Sequence, residues 1–223
     1  EVAAGIAEAL ERNPDLNVIA VVPRYPDADG PLAGPAARIG QLRAISMLRR
    51  VAPDRVGVFD LENRAGTPIY VHAKICIIDD TWFTCGSDNF NRRSWTNDSE
   101  LTCAVFDTTV ENPDAAGTDN RHATFRPLAH GLRLQLWAEH LGLDQNDPRL
   151  VDPAAGLKLW NTTAGALDRW HETGRGSSRP AGHVRHHTPE PVSPRQRLWA
   201  DPMSRLLMDP DGRPRRLRGT TQF

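Results

Sequence analysis

The chain reads as a layered α/β domain, a mixed sheet with helices on its faces, and three observations lead there. Helix-spaced apolar segments and short apolar strand-like runs alternate over the first 107 residues. Two β-rich runs, 67–79 and 81–87, meet at Asp79-Asp80, which reads as a hairpin. The length, 223 residues with 39% hydrophobic and 25% charged side chains, suffices for one sizeable domain or two small ones.

Taken in order, Val2, Ile6 and Leu10 recur at helical spacing among charged residues, so 2–12 is a helix, broken by "NPD" at 13–15. "NVIAVVP" (17–23) reads as a buried strand, and a Pro/Gly/Asp-rich loop follows to about residue 35. In 36–51, Ile39, Leu42, Ile45, Leu48 and Val51 share one helical face, and "RVGVFDL" (55–61) is the next strand. In "TPIYVHAKICIID" (67–79), Val71, Ala73, Ile75 and Ile77 alternate with His72, Lys74 and Cys76. The period of two places His72 and Lys74 side by side on one face of one strand. "ELTCAVFD" (100–107) is a further strand, followed by a polar loop. Phe125, Leu128, Leu132, Leu136 and Leu141 give a long helix from Arg121 to about Leu141, bent or restarted at Pro127. Residues 153–171 form another, anchored by Leu157, Trp160 and Leu167.

After Gly174 the composition turns to Arg, Pro, Gly, Ser and His, which predicts a basic extended tail over 174–223, with a hairpin at 205–217, behind a domain of residues 1–173. The tail holds ten Arg against four acids; the rest of the chain holds 17 basic and 24 acidic residues. A nucleic-acid surface would need the opposite balance in the domain itself, so nucleic acid is not the expected partner. Cys76, Cys85 and Cys103 lie in apolar runs without metal-ligand spacing and are expected as buried free thiols. No apolar run reaches membrane-spanning length, and a cytoplasmic location, peripheral at a membrane at most, is the expectation. The first residue is Glu, already inside a helical pattern, which suggests the C-terminal part of a longer protein or a processed chain.

Residues 71–95 carry the chemistry. They spell His72-x-Lys74, four residues, Asp79, six residues, Gly86-Ser87-x-Asn89. A phosphodiester repels nucleophiles, so its cleavage calls for cations and hydrogen-bond donors on the non-bridging oxygens and an imidazole to attack or to move protons. His72 can be that imidazole, Lys74 a point charge beside it, and Asn89 a source of amide donors brought over by the Gly86 turn. Ser87 can bond the phosphate or brace the imidazole. Asp79, in the turn, points away from such a pocket and has a supporting, structural role. Arg92 and Arg93 are open between head-group binding and a solvated or capping role, and Trp95 is a candidate for an apolar substrate entrance. His183, His186 and His187 lie amid Pro and Arg with no acid or Cys ligand set, which reads as a solvated tail rather than a metal centre.

The pattern resembles, without a mismatch, the HKD signature of the phospholipase D superfamily, and the likeness continues through "NRRS" and "NDSEL". "VVPRYPDADG" and "GPAARIGQ" are similar to the region before the second HKD motif in bacterial, actinobacterial-type members, including cardiolipin synthase-like proteins. The resemblance implies an α/β phospholipase D-like half, metal-independent and without cofactor. It implies a phosphohistidine mechanism that hydrolyses a phospholipid or transfers its phosphatidyl group. It also places an acid at about the position of Glu100 to hold the far nitrogen of the histidine, with Asp98 as the alternative. His72, Lys74, Asn89 and Glu100 are thus the expected catalytic residues, with Ser87, Asp79 and Gly86 in support.

Such catalysis uses two facing HKD motifs, and this chain has one: none of its other seven histidines is followed two residues on by a lysine. The partner is expected from another part of a longer polypeptide or from a second copy, as in single-motif homodimeric nucleases. As a second motif, its histidine would be the general acid/base. A homodimeric nuclease and a non-catalytic phosphate-binding relic are the alternative functions.

Overall fold

The computed structural model of the chain describes residues 2–25, 30–31, 33–107, 109, 127–218 and 220. The expected helical start between Arg121 and Arg126, with Phe125, lies outside them, as does most of the polar loop before it. The architecture is α/β, divided into two compact units. One comprises residues 1–71, 89–99 and 185–223, the other 72–88 and 100–184, so neither matches the 1–173 and 174–223 division read from composition.

In the first unit, helix α1 (Val2–Arg12) turns Ala7 and Leu10 onto Ile45 and Leu48 of α2 (Ala33–Val51) and onto Val56 and Val58. Strand β1 (Val18–Val21) runs parallel to β2 (Val56–Glu62), with Val18 opposite Val56 and Val21 opposite Phe59. Parallel neighbours need a crossover, and α2 provides it. Strand β3 (Pro68–Ile69) joins the end of β2 antiparallel, Leu61 opposite Ile69, which makes the sheet mixed. Helix α3 (Arg92–Thr96) starts where the Asn91 side chain accepts the Ser94 N–H, 2.8 Å.

The C-terminal fifty residues depart most from the reading by composition. Instead of an extended tail, β7 (Val184–His186) pairs with β2, and the His187 N–H donates to the Val58 carbonyl, 2.9 Å. Helix α6 (Pro194–Met203) follows, opened by a capping box between Ser193 and Gln196, with Pro194 at its first position, and it buries Ala200 against Ala36 and Ile39. A few well-placed apolar residues outweigh an Arg/Pro-rich average. The expected hairpin at 205–217 is instead a π-helical turn, Ser204–Met208, and a 3-10 turn, Arg215–Leu217.

The second unit holds a separate three-stranded antiparallel sheet, β4 (Lys74–Ile78), β5 (Trp82–Gly86) and β6 (Thr102–Val105). The β-rich run 67–79 is therefore two strands in two sheets, and His72 stands at the entry to β4 rather than within it. Helices α4 (Pro127–Leu141) and α5 (Pro153–Glu172) complete the unit around the buried Leu141, Leu150, Trp160 and Leu167. Trp137 and Trp160 meet edge to face at 6.0 Å, and a Cβ on Gly156 would lie 2.1 Å from the Trp137 ring. Among the thiols, Cys76 is half-buried while Cys85 and Cys103 are exposed, which corrects the expectation of three buried cysteines. The short sheet leaves one of its faces uncovered at those two positions.

Candidate active site

All of the expected catalytic and supporting residues but Asn89 lie in the second unit, whereas Arg92, Arg93, Trp95 and Asp98 lie with Asn89 in the first. The hairpin that aligns them turns at Asp79 and Asp80, both left-handed (φ 50° and 54°), a conformation Asp tolerates better than most residues. Register does the rest: Lys74 faces Gly86, and Gly86 faces Thr102. His72, Ser87 and Glu100 each lie one or two residues beyond that row, so all three gather at the same end of the sheet.

Gly86 is required there for close approach rather than for a turn. A Cβ would stand 2.6 Å from both the Leu101 carbonyl and the Thr102 Cα. The intimacy lets Ser87 and Leu101 bond twice: the Ser87 N–H donates to the Leu101 carbonyl, 3.0 Å, and the Leu101 N–H to Ser87 Oγ, 3.0 Å. The Ser87 hydroxyl in turn donates to Glu100 Oε2 at 2.6 Å, a charge-assisted bond. Ser87 is thus braced by the β6 side of the sheet, and one Glu100 oxygen is engaged with it. Thr102 donates a further hydroxyl hydrogen bond to Asp88. Lys74 Nζ donates to the His72 carbonyl, 2.7 Å, which pulls the exposed histidine backbone and the ammonium together and leaves the ammonium two further protons.

Asn89 belongs to the first unit, where its carbonyl accepts the Trp95 indole N–H at 2.9 Å, and Trp95 also stacks obliquely with Phe90. Asp98 forms an ion pair with Arg93 at 2.9 Å. Arg92 reaches Asp209 at 3.4 Å, and the Arg93 N–H donates to the same carboxylate. Asp79 is exposed, and its neighbour Asp80 carries the structural load. Buried in the turn, Asp80 accepts from Arg133 Nε and Nη2 at 2.6 and 2.8 Å and pairs with His130 Nδ1 at 2.8 Å. Burial would push its carboxyl up, but the bonds from His130 and Arg133 outweigh that and hold it below the ordinary aspartate range.

Sequence reasoning missed a second buried network, in the first unit. Asp60 and Glu62 end the fully buried β2; Arg24 (2.6 Å to Asp60) and Arg185 (3.2 Å to Glu62) offset their charge, and His187 Nδ1 lies 3.1 Å from Asp60. Its signal was available: two carboxylates closing an apolar central strand demand partners. His187 is therefore buried and His186 lies against the Phe59 ring at 5.5 Å, so neither is the solvated tail residue composition suggested. Among the described residues no three His, Cys, Asp or Glu side chains are placed to hold a metal ion.

These features agree with what the chain is similar to. The phospholipase D family model matches residues 57–184, which include the whole motif from His72 to Glu100. Phospholipase D zeta 1 of Arabidopsis thaliana is 36% identical over 106 residues, 45% of this chain and 9% of that protein. Phospholipase D C of Dictyostelium discoideum is 39% identical over 97 residues, 42% of this chain and 6% of its own length. Phospholipase D alpha 1 of Spuriopimpinella brachycarpa is 35% identical over 98 residues, 43% and 11%. The chain thus spans about a tenth of the length of these relatives. With the family model covering more than half of its residues, the chain belongs to the phospholipase D family.

Proposed function

We propose that this chain supplies one half of a phosphodiester-cleaving centre that acts on phospholipids. The observation that carries it is the collection of His72, Lys74, Ser87 and Glu100 at one end of the β4–β5–β6 sheet, inside the segment matched by the family. In the reaction, a histidine from a second motif attacks phosphorus and the head-group alcohol departs, taking the proton of the His72 imidazolium. His72 then accepts a proton from water, or from an acceptor alcohol, as that oxygen attacks the phosphohistidine and releases the first histidine. Lys74 offsets charge on the non-bridging oxygens. Glu100, oriented by Ser87, holds the imidazolium.

The second motif comes from another part of a longer polypeptide or from a second copy of the chain. The single His-x-Lys in the sequence and the small share of each relative that it spans support this. No described helix is long and apolar enough to cross a membrane. The three free cysteines are what supports a cytoplasmic location for the protein, which would reach its lipid as a peripheral protein. The exposed Arg215 and Arg216 give an anionic lipid surface something to attract.

The test is head-group release from phosphatidylcholine vesicles by the protein containing both motifs. His72→Ala should reduce release at least about a hundredfold, the lower bound for losing a general acid/base. Unchanged release would remove the catalytic role. Cleavage of single-stranded DNA that depends on His72, without lipid turnover, would establish the nuclease alternative instead. Full activity from this chain as a monomer would overturn the two-motif reading.

A further inference from the structure

Cys85 on β5 and Cys103 on β6 are directly opposite each other in the antiparallel register, and both are exposed. We propose that they form a reversible dithiol–disulfide site that reacts with low-molecular-weight disulfides. Directly opposed residues of an antiparallel pair have Cα atoms about 4.5–5.5 Å apart and project to the same face. A disulfide spans Cα separations of about 4.4–6.8 Å, so two cysteines opposed in this register lie within its reach. The third cysteine, Cys76, cannot compete. It sits opposite Thr84, one residue out of phase with the row Ile75–Cys85–Cys103, and therefore on the other face of the sheet. Burial also raises its thiol and keeps it in the unreactive form.

The chemistry balances with a disulfide RSSR as oxidant. One protein thiolate attacks RSSR, forming a protein–SSR mixed disulfide and expelling RS⁻. The opposed thiolate attacks the protein sulfur of that adduct, closing the Cys85–Cys103 bond and expelling the second RS⁻. The two thiol protons pass to the departing thiolates, so two protein thiols are oxidised and one RSSR is reduced to two RSH.

The bond would close a ring running from residue 85 to 103, which carries Gly86, Ser87, Asn89 and Glu100. It would lie two residues from Ser87 and two from Leu101, the pair bonded to each other twice. Oxidation therefore tethers the strand ends that position Ser87 and Glu100. This site stands on strand register and does not depend on the proposed phospholipid chemistry.

The experiment treats the native protein with oxidised glutathione and reads thiols and peptides. Two of the chain's three thiols should be lost without a lasting glutathione adduct, and digestion under non-reducing conditions should yield a linked Cys85–Cys103 peptide. Cys85→Ser should trap glutathione on Cys103, and Cys76→Ser should behave as the parent. Exchange of the Ser87 and Leu101 amide protons should slow on oxidation. Lasting adducts on both cysteines, a linked peptide containing Cys76, a link between two chains, or no loss of thiols would each overturn the proposal.

Discussion

Replacing Asp80 by Asn isolates the charge that anchors the β4–β5 turn. Asn retains the side-chain shape and tolerates the left-handed backbone that Asp80 adopts, so the change is electrostatic rather than conformational. Arg133 is 5% exposed and would lose the carboxylate that meets its Nε and Nη2 at 2.6 and 2.8 Å. Removing one partner of a buried pair costs about 3–5 kcal/mol. Arg133 keeps the Leu150 and Val151 carbonyls at 2.6 and 3.1 Å, which places the expected loss near the lower end, about 3 kcal/mol. Adding Arg133→Met, which removes the orphaned charge, should recover more than half of that loss. Urea unfolding followed by tryptophan fluorescence is the assay, and Trp137, with the Arg133 guanidinium 4.6 Å from its ring centre, reports on the site itself. Because the folded carboxyl lies below its unfolded range, its contribution is fully present above the unfolded pKa of about 3.9 and is lost as pH falls through the folded value. The gap between parent and Asp80→Asn should therefore be flat near neutrality and narrow below about pH 4. A loss under about 1 kcal/mol at pH 7, or a gap that widens on acidification, would refute the assignment of Asp80 as the turn's anchor.

Other substitutions probe the site and the packing behind it. Gly86→Ala drives a Cβ into the backbone of Leu101 and Thr102 and should cost about 1–3 kcal/mol in urea unfolding while lowering head-group release. Glu100→Gln keeps an acceptor for Ser87 but removes the charge proposed to hold the His72 imidazolium, so on that proposal kcat for head-group release should fall about a hundredfold or more with the fold intact by circular dichroism. Gly156→Ala meets the Trp137 ring and should lower the thermal midpoint and shift tryptophan emission, whereas head-group release per folded molecule should hold.

The helices and the hairpin were legible because they are local. The spacing of Ile39, Ile45 and Leu48 reports the face of α2 directly, and Asp79-Asp80 announces a turn whose partners lie on either side of it. What was not legible depends on partners far along the chain. The alternation through 67–79 is continuous, but Ile69 pairs with Leu61 and Ile75 with Cys85, so one apolar pattern serves two sheets. Side-chain period says which face a residue takes and not which neighbour it finds. The motif spacing singled out His72, Lys74 and Ser87, and the family resemblance Glu100; the register sets these residues toward one end of the β4–β5–β6 sheet, but the hydrogen bond from Ser87 to Glu100 was not legible. Nor could the spacing separate Asp79 from Asp80, two adjacent carboxylates of which one is exposed and one is buried with an arginine.

The carboxylates at the end of β2 bear on the order in which the chain can be completed. Asp60 takes one partner from Arg24, 36 residues earlier, and another from His187, 127 residues later, while Glu62 waits for Arg185, 123 residues on. During vectorial synthesis β1, α2 and β2 emerge together, but two negative charges then sit at the middle of a nascent sheet with a single arginine to share. Burying them in that state is unfavourable, so the first 71 residues should remain solvated and open until the ribosome has delivered residue 187. Arg185 and His187, rather than the helices that precede them in the sequence, then license closure of the sheet.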